Sequence, residues 1–272
     1  MKARFIFVLS LCLCFSAINI DAQKRPVKPN PEITRMMGQV SAKSIEVTIR
    51  KLVSFGTRNT LSSQDDPKRG VGAARDWIYS EFQRISADCG NCLQVEKQSF
   101  VQPKGNRIPQ PTTLTNVYAV LKGTTDPDRV YVVSGHYDSM CNLQATDITC
   151  DAPGANDDGS GTAASIELAR VMSKYKFDAT IIFLTVPGEE QGLYGSTYFA
   201  KQAAEKKMNI EAMFDNDIIG GVTSYKNAPD RQSIRVFAEG VPSNETPQEA
   251  NIRRSVGGEN DSQSRQLGRY VK

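Results

Sequence analysis

Two short, uninterrupted apolar segments constrain the fold of this chain more than any other feature. Residues 130–133 (Val-Tyr-Val-Val) and 181–184 (Ile-Ile-Phe-Leu) have no alternating polar positions. Continuous runs of this kind are typical of strands that are buried on both faces of a sheet. Between them, Ala164, Leu168 and Met172 recur at helical spacing. A helix between two buried strands predicts an α/β domain in which helices are layered against a sheet.

The same alternation continues on both sides of this unit. Apolar residues at helical spacing predict further helices, and short apolar runs predict further strands. In folds of this kind ligands gather beyond the carboxyl ends of the strands, so polar residues there are candidates for a site. The predicted helices cover 41–54, the stretch around 74–85, 161–174 and 195–206, the predicted strands cover 95–101, 115–121, 129–134, 179–186, 212–218 and 233–238, and the polar stretch 59–70 is predicted to be a loop.

The amino terminus is typical of a secretion signal. Lys2 and Arg4 precede the almost wholly apolar residues 5–20, and a cleavable signal over residues 1–22 is predicted. A membrane anchor is the alternative, but the apolar run is short for a span and no charged stop-transfer pattern follows. The two cysteines in this run follow leucines, whereas a lipoprotein signal would carry a small residue there. The sequence therefore predicts a secreted or periplasmic protein.

After the signal, the chain is predicted to form a lead-in and one domain. Residues 23–38 begin with a polar, proline-rich stretch and are predicted to be flexible, and 39–272 form the domain. Hydrophobic residues at 39% and charged residues at 23% are ordinary for a globular protein. The formal net charge of +3, with no dense lysine or arginine run, argues against a nucleic-acid partner.

The remaining cysteines form two closely spaced pairs. Cys89 and Cys92 are three residues apart, and Cys141 and Cys150 are nine apart. In an exported chain, even numbers of cysteines suggest disulfides, so two short bridged loops are predicted. A redox pair or half of a zinc site at Cys89 and Cys92 is the alternative, but no strand and helix of the redox type stand nearby.

Acidic residues and the chain's single histidine occur in four polar segments near the ends of predicted strands. Each segment alone is ordinary, since strand ends, helix caps and solvated acidic loops carry such residues. Together they supply one imidazole and several carboxylates to one edge of a sheet, which is the ligand set of a hydrolytic zinc pair. The segments are Gly-His-Tyr-Asp-Ser at 135–139, Pro-Gly-Ala-Asn-Asp-Asp-Gly-Ser-Gly at 153–161, Gly-Glu-Glu-Gln-Gly-Leu-Tyr-Gly-Ser at 188–196 and Asn-Asp at 216–217.

In their order and spacing these segments resemble the M28 family of zinc aminopeptidases, over roughly residues 40–220. The resemblance implies a three-layer α/β sandwich with a mixed, mostly parallel central sheet flanked by helices. It implies two zinc ions and the removal of amino-terminal residues from peptides. Among the metal ligands, it implies that His136 and Asp217 hold one zinc, Asp157 bridges both ions and Glu190 holds the second.

The resemblance also assigns the acid-base residues. Glu189 is implied to be the general base that activates the attacking water and later protonates the leaving amine. Asp138 is implied to be the partner that orients His136. Asp158 has no metal role in the family pattern.

The chain departs from the family pattern in one respect. The family's second zinc has a further histidine well downstream, and this chain has no histidine after His136. We therefore expect a sequence whose carboxy-terminal part is missing, with tighter binding of the first zinc than of the second. Missing elements would leave apolar sheet surface and an edge strand uncovered, and poor solubility is expected.

Two alternatives remain beside a secreted aminopeptidase acting on peptides. One is another zinc hydrolase on the same scaffold, either carboxypeptidase-like or glutaminyl-cyclase-like. The other is a metal-binding remnant without catalysis, which the single histidine keeps open. No stable membrane association is expected once the signal is removed.

Overall fold

The computed structural model describes residues 29–142, 145–222 and 229–271. The predicted signal over 1–22 lies outside these residues. Within the described part of the chain, no helix combines the length and the apolar character needed to cross a membrane.

A five-stranded mixed sheet forms the centre of the fold, in the order β1-β2-β4-β3-β5. β3 is parallel to both β4 and β5, while β2 is antiparallel to β1 and β4. Four strands therefore run in one direction and β2 opposes them, which agrees with the predicted fold class. The strands are β1 (Leu93–Gln102), β2 (Thr112–Leu121), β3 (Asp126–His136), β4 (Ala179–Val186) and β5 (Asn209–Asp215).

Helices lie on both faces of this sheet. α2, α3 and α4 pack on one face and α6 on the other. The helices are α1 (Pro31–Met37), α2 (Ala42–Val53), α3 (Val71–Asp88), α4 (Gly159–Met172), α5 (Glu189–Gly192), α6 (Tyr194–Glu205), α7 (Pro247–Ser255) and α8 (Gln263–Val271), with a 3-10 turn at Gly258–Asp261.

The central strands contribute alternate residues to two separate cores, which explains their continuous apolar runs. In β4, Ile181 and Phe183 face the α3 and α4 side, while Ile182 and Leu184 face the α6 side. This alternation follows from the two-residue period of a strand. The first core also contains Leu52, Ile78, Phe82, Val117 and Ile166, and the second contains Tyr118, Val130, Val132 and Phe199.

Three details of the predicted secondary structure are corrected. The predicted strand at 233–238 has no regular structure. Its apolar side chains do not pack against the sheet, and Ile234 and Phe237 are 77% and 87% exposed. Part of the lead-in predicted to be flexible forms a helix, Pro31–Met37, capped by the side chain of Asn30. β5 ends at Asp215 instead of residue 218.

β5 is the last strand on its side of the described sheet. It pairs with β3, and no strand among the described residues pairs with its other edge. Met213 is 43% exposed on it. The expected open edge and uncovered apolar surface are therefore present in the described part of the chain, although solubility itself stays a prediction.

Two glycines let the carboxyl end of β3 approach the beginning of α4. A Cβ at Gly135 would collide with the backbone of Gly161, and a Cβ at Gly161 would collide with the carbonyl of Asn216. Only glycine permits such close backbone contact. As a result, the ends of β3 and β5 and the start of α4 meet at one edge of the sheet.

Candidate metal centre

His136 is the last residue of β3 and its side chain is buried. Its Nε2 atom lies 3.1 Å from Oδ1 of Asp157 and 3.9 Å from Oε2 of Glu189. Ligand atoms of His136, Asp157 and Asp217 all lie within 4.8 Å of one another. The structure therefore brings the three ligands predicted for the first zinc to one point.

The geometry of this cluster fits a small divalent ion. Two ligands about 2.1 Å from a tetrahedral zinc are about 3.4 Å apart, close to the separation between His136 and Asp157. Neither imidazole nitrogen of His136 makes a well-formed hydrogen bond to any residue that the structure describes. A buried imidazole without such partners, facing carboxylates, has the donor chemistry of a zinc ligand.

Asp138 faces the imidazole from the side opposite the cluster. Its Oδ1 atom lies 3.4 Å from Nδ1 of His136, and the carboxylate is fully buried. It accepts hydrogen bonds from the backbone N–H groups of Glu189 at 3.3 Å and Glu190 at 3.2 Å. The hydroxyl of Thr60 donates a further hydrogen bond at 2.9 Å. One carboxylate therefore links the end of β3 to the start of α5.

Asp158 caps α4 and has a structural place beside the cluster. One carboxylate oxygen accepts from the N–H of Gly161 at 2.9 Å, and the other accepts from the N–H of His136 at 3.0 Å. Burial raises the pKa of Asp158 to about 7, although His136 opposes this shift. The helix-cap interpretation therefore holds for Asp158, while Asp157 next to it turns toward the cluster.

Glu189 and Glu190 begin the single-turn helix α5, directly after β4. Gly188 precedes them with φ of +74°, a left-handed conformation that favours glycine. Burial raises the pKa of Glu190 to about 7, and Asp138 and Asp157 add to this shift. Burial also raises the pKa of Glu189, against the opposing effect of His136. A cation is the natural partner for two crowded carboxylates of this kind.

His136 and Asp157 shift each other's pKa in opposite directions. Burial by itself would lower the pKa of His136, but the carboxylates of Asp138 and Asp157 outweigh burial and raise it to about 12. The same pairing with His136 lowers the pKa of Asp157. The cluster therefore attracts positive charge, whether a proton or a metal ion.

Asp217 reaches the cluster from a different position than predicted. It follows β5 instead of lying within the strand predicted over 212–218, and it is exposed. The regular strand ends at Asp215, and the N–H of Asn216 still donates to the carbonyl of Ser134 at 2.9 Å, beside the end of β3. The exposed position makes Asp217 accessible to a ligand at the sheet edge.

Two residues of the site lie in or beside the loop predicted at 59–70 and were not singled out from the sequence. Thr60 donates to Asp138 and accepts from the N–H of Gly188 at 3.1 Å. Arg58 is fully buried near the turn that precedes Asp157. Nothing in their local pattern distinguishes them from other polar loop residues. Their burial results from tertiary packing.

Both predicted disulfides are present, and they differ in their distance from the site along the chain. Cys89–Cys92 follows the end of α3. Cys141–Cys150 closes a loop between Asp138 and Asp157. Residue Ala145 within this loop is buried, and its carbonyl accepts from the side chains of Asn59 and Gln191.

A family comparison connects these features. Residues 116–252, half of the chain, match the model of peptidase family M28. A probable zinc metalloprotease of Pyrenophora teres f. teres is 48% identical over 257 residues, covering 93% of this chain and 52% of the relative. The chain belongs to peptidase family M28. A probable zinc metalloprotease of Leptosphaeria maculans is also 48% identical, over 89% of this chain and 56% of the relative. This M28 chain therefore spans about half the length of these curated relatives.

Solved structures share the fold at much lower identity. The LapA aminopeptidase of Legionella pneumophila is 22% identical with a TM-score of 0.50, covering 68% of this chain and 44% of that one. A glutaminyl cyclase of Bacteroides thetaiotaomicron is 17% identical with a TM-score of 0.56, covering 68% of this chain and 64% of that one. These similar structures have two different activities. They therefore support the fold of this chain and do not distinguish between the two reactions.

Proposed function

We propose that this M28 chain is a secreted zinc-dependent peptidase that hydrolyses peptides from their amino terminus. The convergence of His136, Asp157 and Asp217 on one point, with Glu189 beside them, carries the proposal. The names of the curated M28 relatives support zinc and proteolysis. The two disulfides are consistent with export, because such bonds persist in oxidising compartments.

In this proposal the zinc ligands divide into two sets. His136, Asp157 and Asp217 would hold the first ion, and Asp157 and Glu190 would hold the second. Glu190 is buried beside Asp138, which suits a ligand whose charge needs compensation. The chain's single histidine, His136, belongs to the first set, so the first ion would be bound more tightly. Zinc, when bound, supplies a Lewis acid that polarises the scissile carbonyl and lowers the pKa of water.

The chain's own residues supply the proton transfers. Glu189 is partly exposed and points toward the cluster, so its carboxylate can take a proton from the attacking water. The same carboxyl then returns the proton to the leaving amine. Burial is the main reason that the pKa of Glu189 is raised. A pKa shifted toward neutral pH helps a carboxyl group both to accept and to return a proton. Asp138 keeps the imidazole of His136 oriented throughout.

The substitution Glu189→Gln tests this assignment. It removes the base while keeping the size of the side chain, so hydrolysis of aminoacyl-nitroanilides should fall roughly 10²–10⁴-fold. Zinc content, measured by elemental analysis, should stay unchanged. Glu205→Gln on the exposed end of α6 is the matched control and should leave both quantities unchanged. Equal activity of the Glu189 variant and the control would contradict the role of Glu189.

A glutaminyl-cyclase activity is the second candidate, because structures of that activity share this fold. Cyclisation of peptides with amino-terminal glutamine, assayed beside nitroanilide hydrolysis, separates the two reactions. Cyclisation without hydrolysis would replace the peptidase proposal. Zinc binding with neither reaction, in this chain and in longer M28 relatives, would favour a non-catalytic metal-binding protein.

A further inference from the structure

Arg58 is a buried cation that the proposed reaction does not use. Its side chain is fully buried, and the residue follows α2, which ends at Val53. Burial lowers the pKa of Arg58 to about 10, and attraction from nearby carboxylates opposes this, so the guanidinium stays charged at neutral pH. The hydrogen bonds of its guanidinium go to backbone carbonyls instead of a carboxylate. A buried charge without an ion pair is costly and needs other partners.

Backbone carbonyls from three separate segments supply these partners. Nε of Arg58 donates to the carbonyl of Tyr137 at 2.7 Å, between His136, the last residue of β3, and Asp138. Nη1 donates to Pro153 at 2.7 Å and to Leu52 at 3.3 Å, and Nη2 donates to Gly154 at 2.9 Å. One planar group therefore ties the end of β3, the end of α2 and the turn before Asp157 to each other.

The turn whose carbonyls accept hydrogen bonds from Arg58 leads directly into Asp157. The carbonyl of Gly154 accepts from Nη2 of Arg58 and also from the N–H of Gly159 at 2.9 Å, the first residue of α4. Gly154 has φ of +44°, and a Cβ there would lie 2.8 Å from Nη2 of Arg58 and 2.5 Å from the carbonyl of Asp157. The guanidinium of Arg58 therefore packs directly against this turn and leaves no room for a side chain at Gly154.

We propose that Arg58 is a positioning residue of the metal centre, which fixes the Asp157 turn relative to the strand end that carries His136. This inference rests on the proposed zinc site. Arg58 contacts neither a predicted ligand side chain nor the proposed base. Its effect passes through the backbone carbonyls of Tyr137, Pro153 and Gly154.

The shape of the guanidinium makes this role specific to arginine. Arginine has five N–H donors in a fixed plane, which reach carbonyls in several directions at once. Lysine has the same charge but one compact ammonium group, which cannot reach three separate segments. Arg58→Lys therefore keeps the buried charge and removes the connection. If charge alone mattered, the lysine variant would behave like the unmodified protein.

Zinc affinity of Arg58→Lys, measured by competition with a chromogenic chelator, tests the proposal. Partners that orient ligands typically contribute a factor of roughly 10–100 in metal affinity, and a loss of that size is expected. Visible absorption of the Co²⁺-loaded protein should change as well, because the spectrum reports ligand geometry. Arg84→Lys, in an exposed ion pair with Glu81, is the matched control and should change neither quantity.

Two further variants separate the possible outcomes. Ile78→Ala weakens the core away from the site, so its zinc affinity shows what loss of stability does without loss of positioning. His136→Ala tests the zinc site itself, and unchanged affinity there would contradict the proposed function. With His136 required, the Arg58 proposal is overturned if Arg58→Lys matches the unmodified protein or Ile78→Ala in affinity and Co²⁺ spectrum. Unfolding of Arg58→Lys where Ile78→Ala stays folded would also overturn it, because Arg58 would then serve the fold.

Discussion

The carboxylate of Asp138 faces His136 and also accepts hydrogen bonds from the start of α5. Its replacement by asparagine tests this connection. Asparagine keeps the size but loses one acceptor oxygen, so it cannot both face His136 and accept from the N–H groups of Glu189 and Glu190. Zinc affinity should fall roughly 10–100-fold, as for other groups that orient a ligand. Chelator competition measures this, with Asp126→Asn in an exposed ion pair as the control. Equal affinities in both variants would show that Asp138 does not orient the ligand.

The individual site residues differ in how far the sequence could predict them. His136, Asp157 and Glu189 stand in motifs whose spacing is specific, and the structure brings their side chains together. Arg58 and Thr60 could not be predicted in this way, because their importance comes from contacts with segments about 80 or more residues away. Such contacts depend on how the layers pack, and local spacing contains no signal for them.

At the scale of elements, the loop closed by Cys141 and Cys150 is expected to affect the metal centre. The bond links the two ends of a loop between Asp138 and Asp157. Replacing both cysteines by serine should lower the free energy of unfolding by about 2–3 kcal/mol, since the unfolded chain gains freedom. Zinc affinity should fall as well, because the loop leads into the Asp157 turn. Urea unfolding and chelator competition measure the two effects.

The second disulfide provides the control for this prediction. Cys89–Cys92 closes a tight loop after α3, away from the metal ligands in the sequence and beside the first core. Its replacement by serines should lower stability and leave the affinity of the folded protein for zinc unchanged. The prediction is wrong if both double variants lose zinc affinity to the same extent.

Secondary-structure elements were predictable where burial and periodicity agree. The range predicted for β4 is identical to the observed one, because its residues are buried on both faces and its ends are marked by Asp178 on one side and by Pro187 and Gly188 on the other. The stretch 233–238 has similar apolar residues, but Ile234 and Phe237 remain exposed. Apolar composition alone does not make a strand, because a strand also needs a partner edge for its backbone hydrogen bonds.

At the scale of the whole molecule, zinc is expected to stabilise the described fold because the site connects its separate parts. His136 belongs to β3, Asp157 precedes α4, and Asp217 follows β5. An ion bound by all three is held only in the folded state, since the unfolded chain does not keep these residues together. Zinc at 100 times its dissociation constant should add about 2.7 kcal/mol to the free energy of unfolding.

For a domain of this size, that gain corresponds to a rise of roughly 5–10 °C in the melting temperature. Thermal unfolding followed by circular dichroism, with zinc and with a chelator, measures it. His136→Ala should remove the zinc-dependent rise while keeping a cooperative transition, because this side chain lies at the end of β3 and outside both apolar cores. An equal rise in His136→Ala would place the stabilising ion elsewhere in the chain. The absence of any rise in the unmodified protein would mean that the three ligands do not bind zinc together.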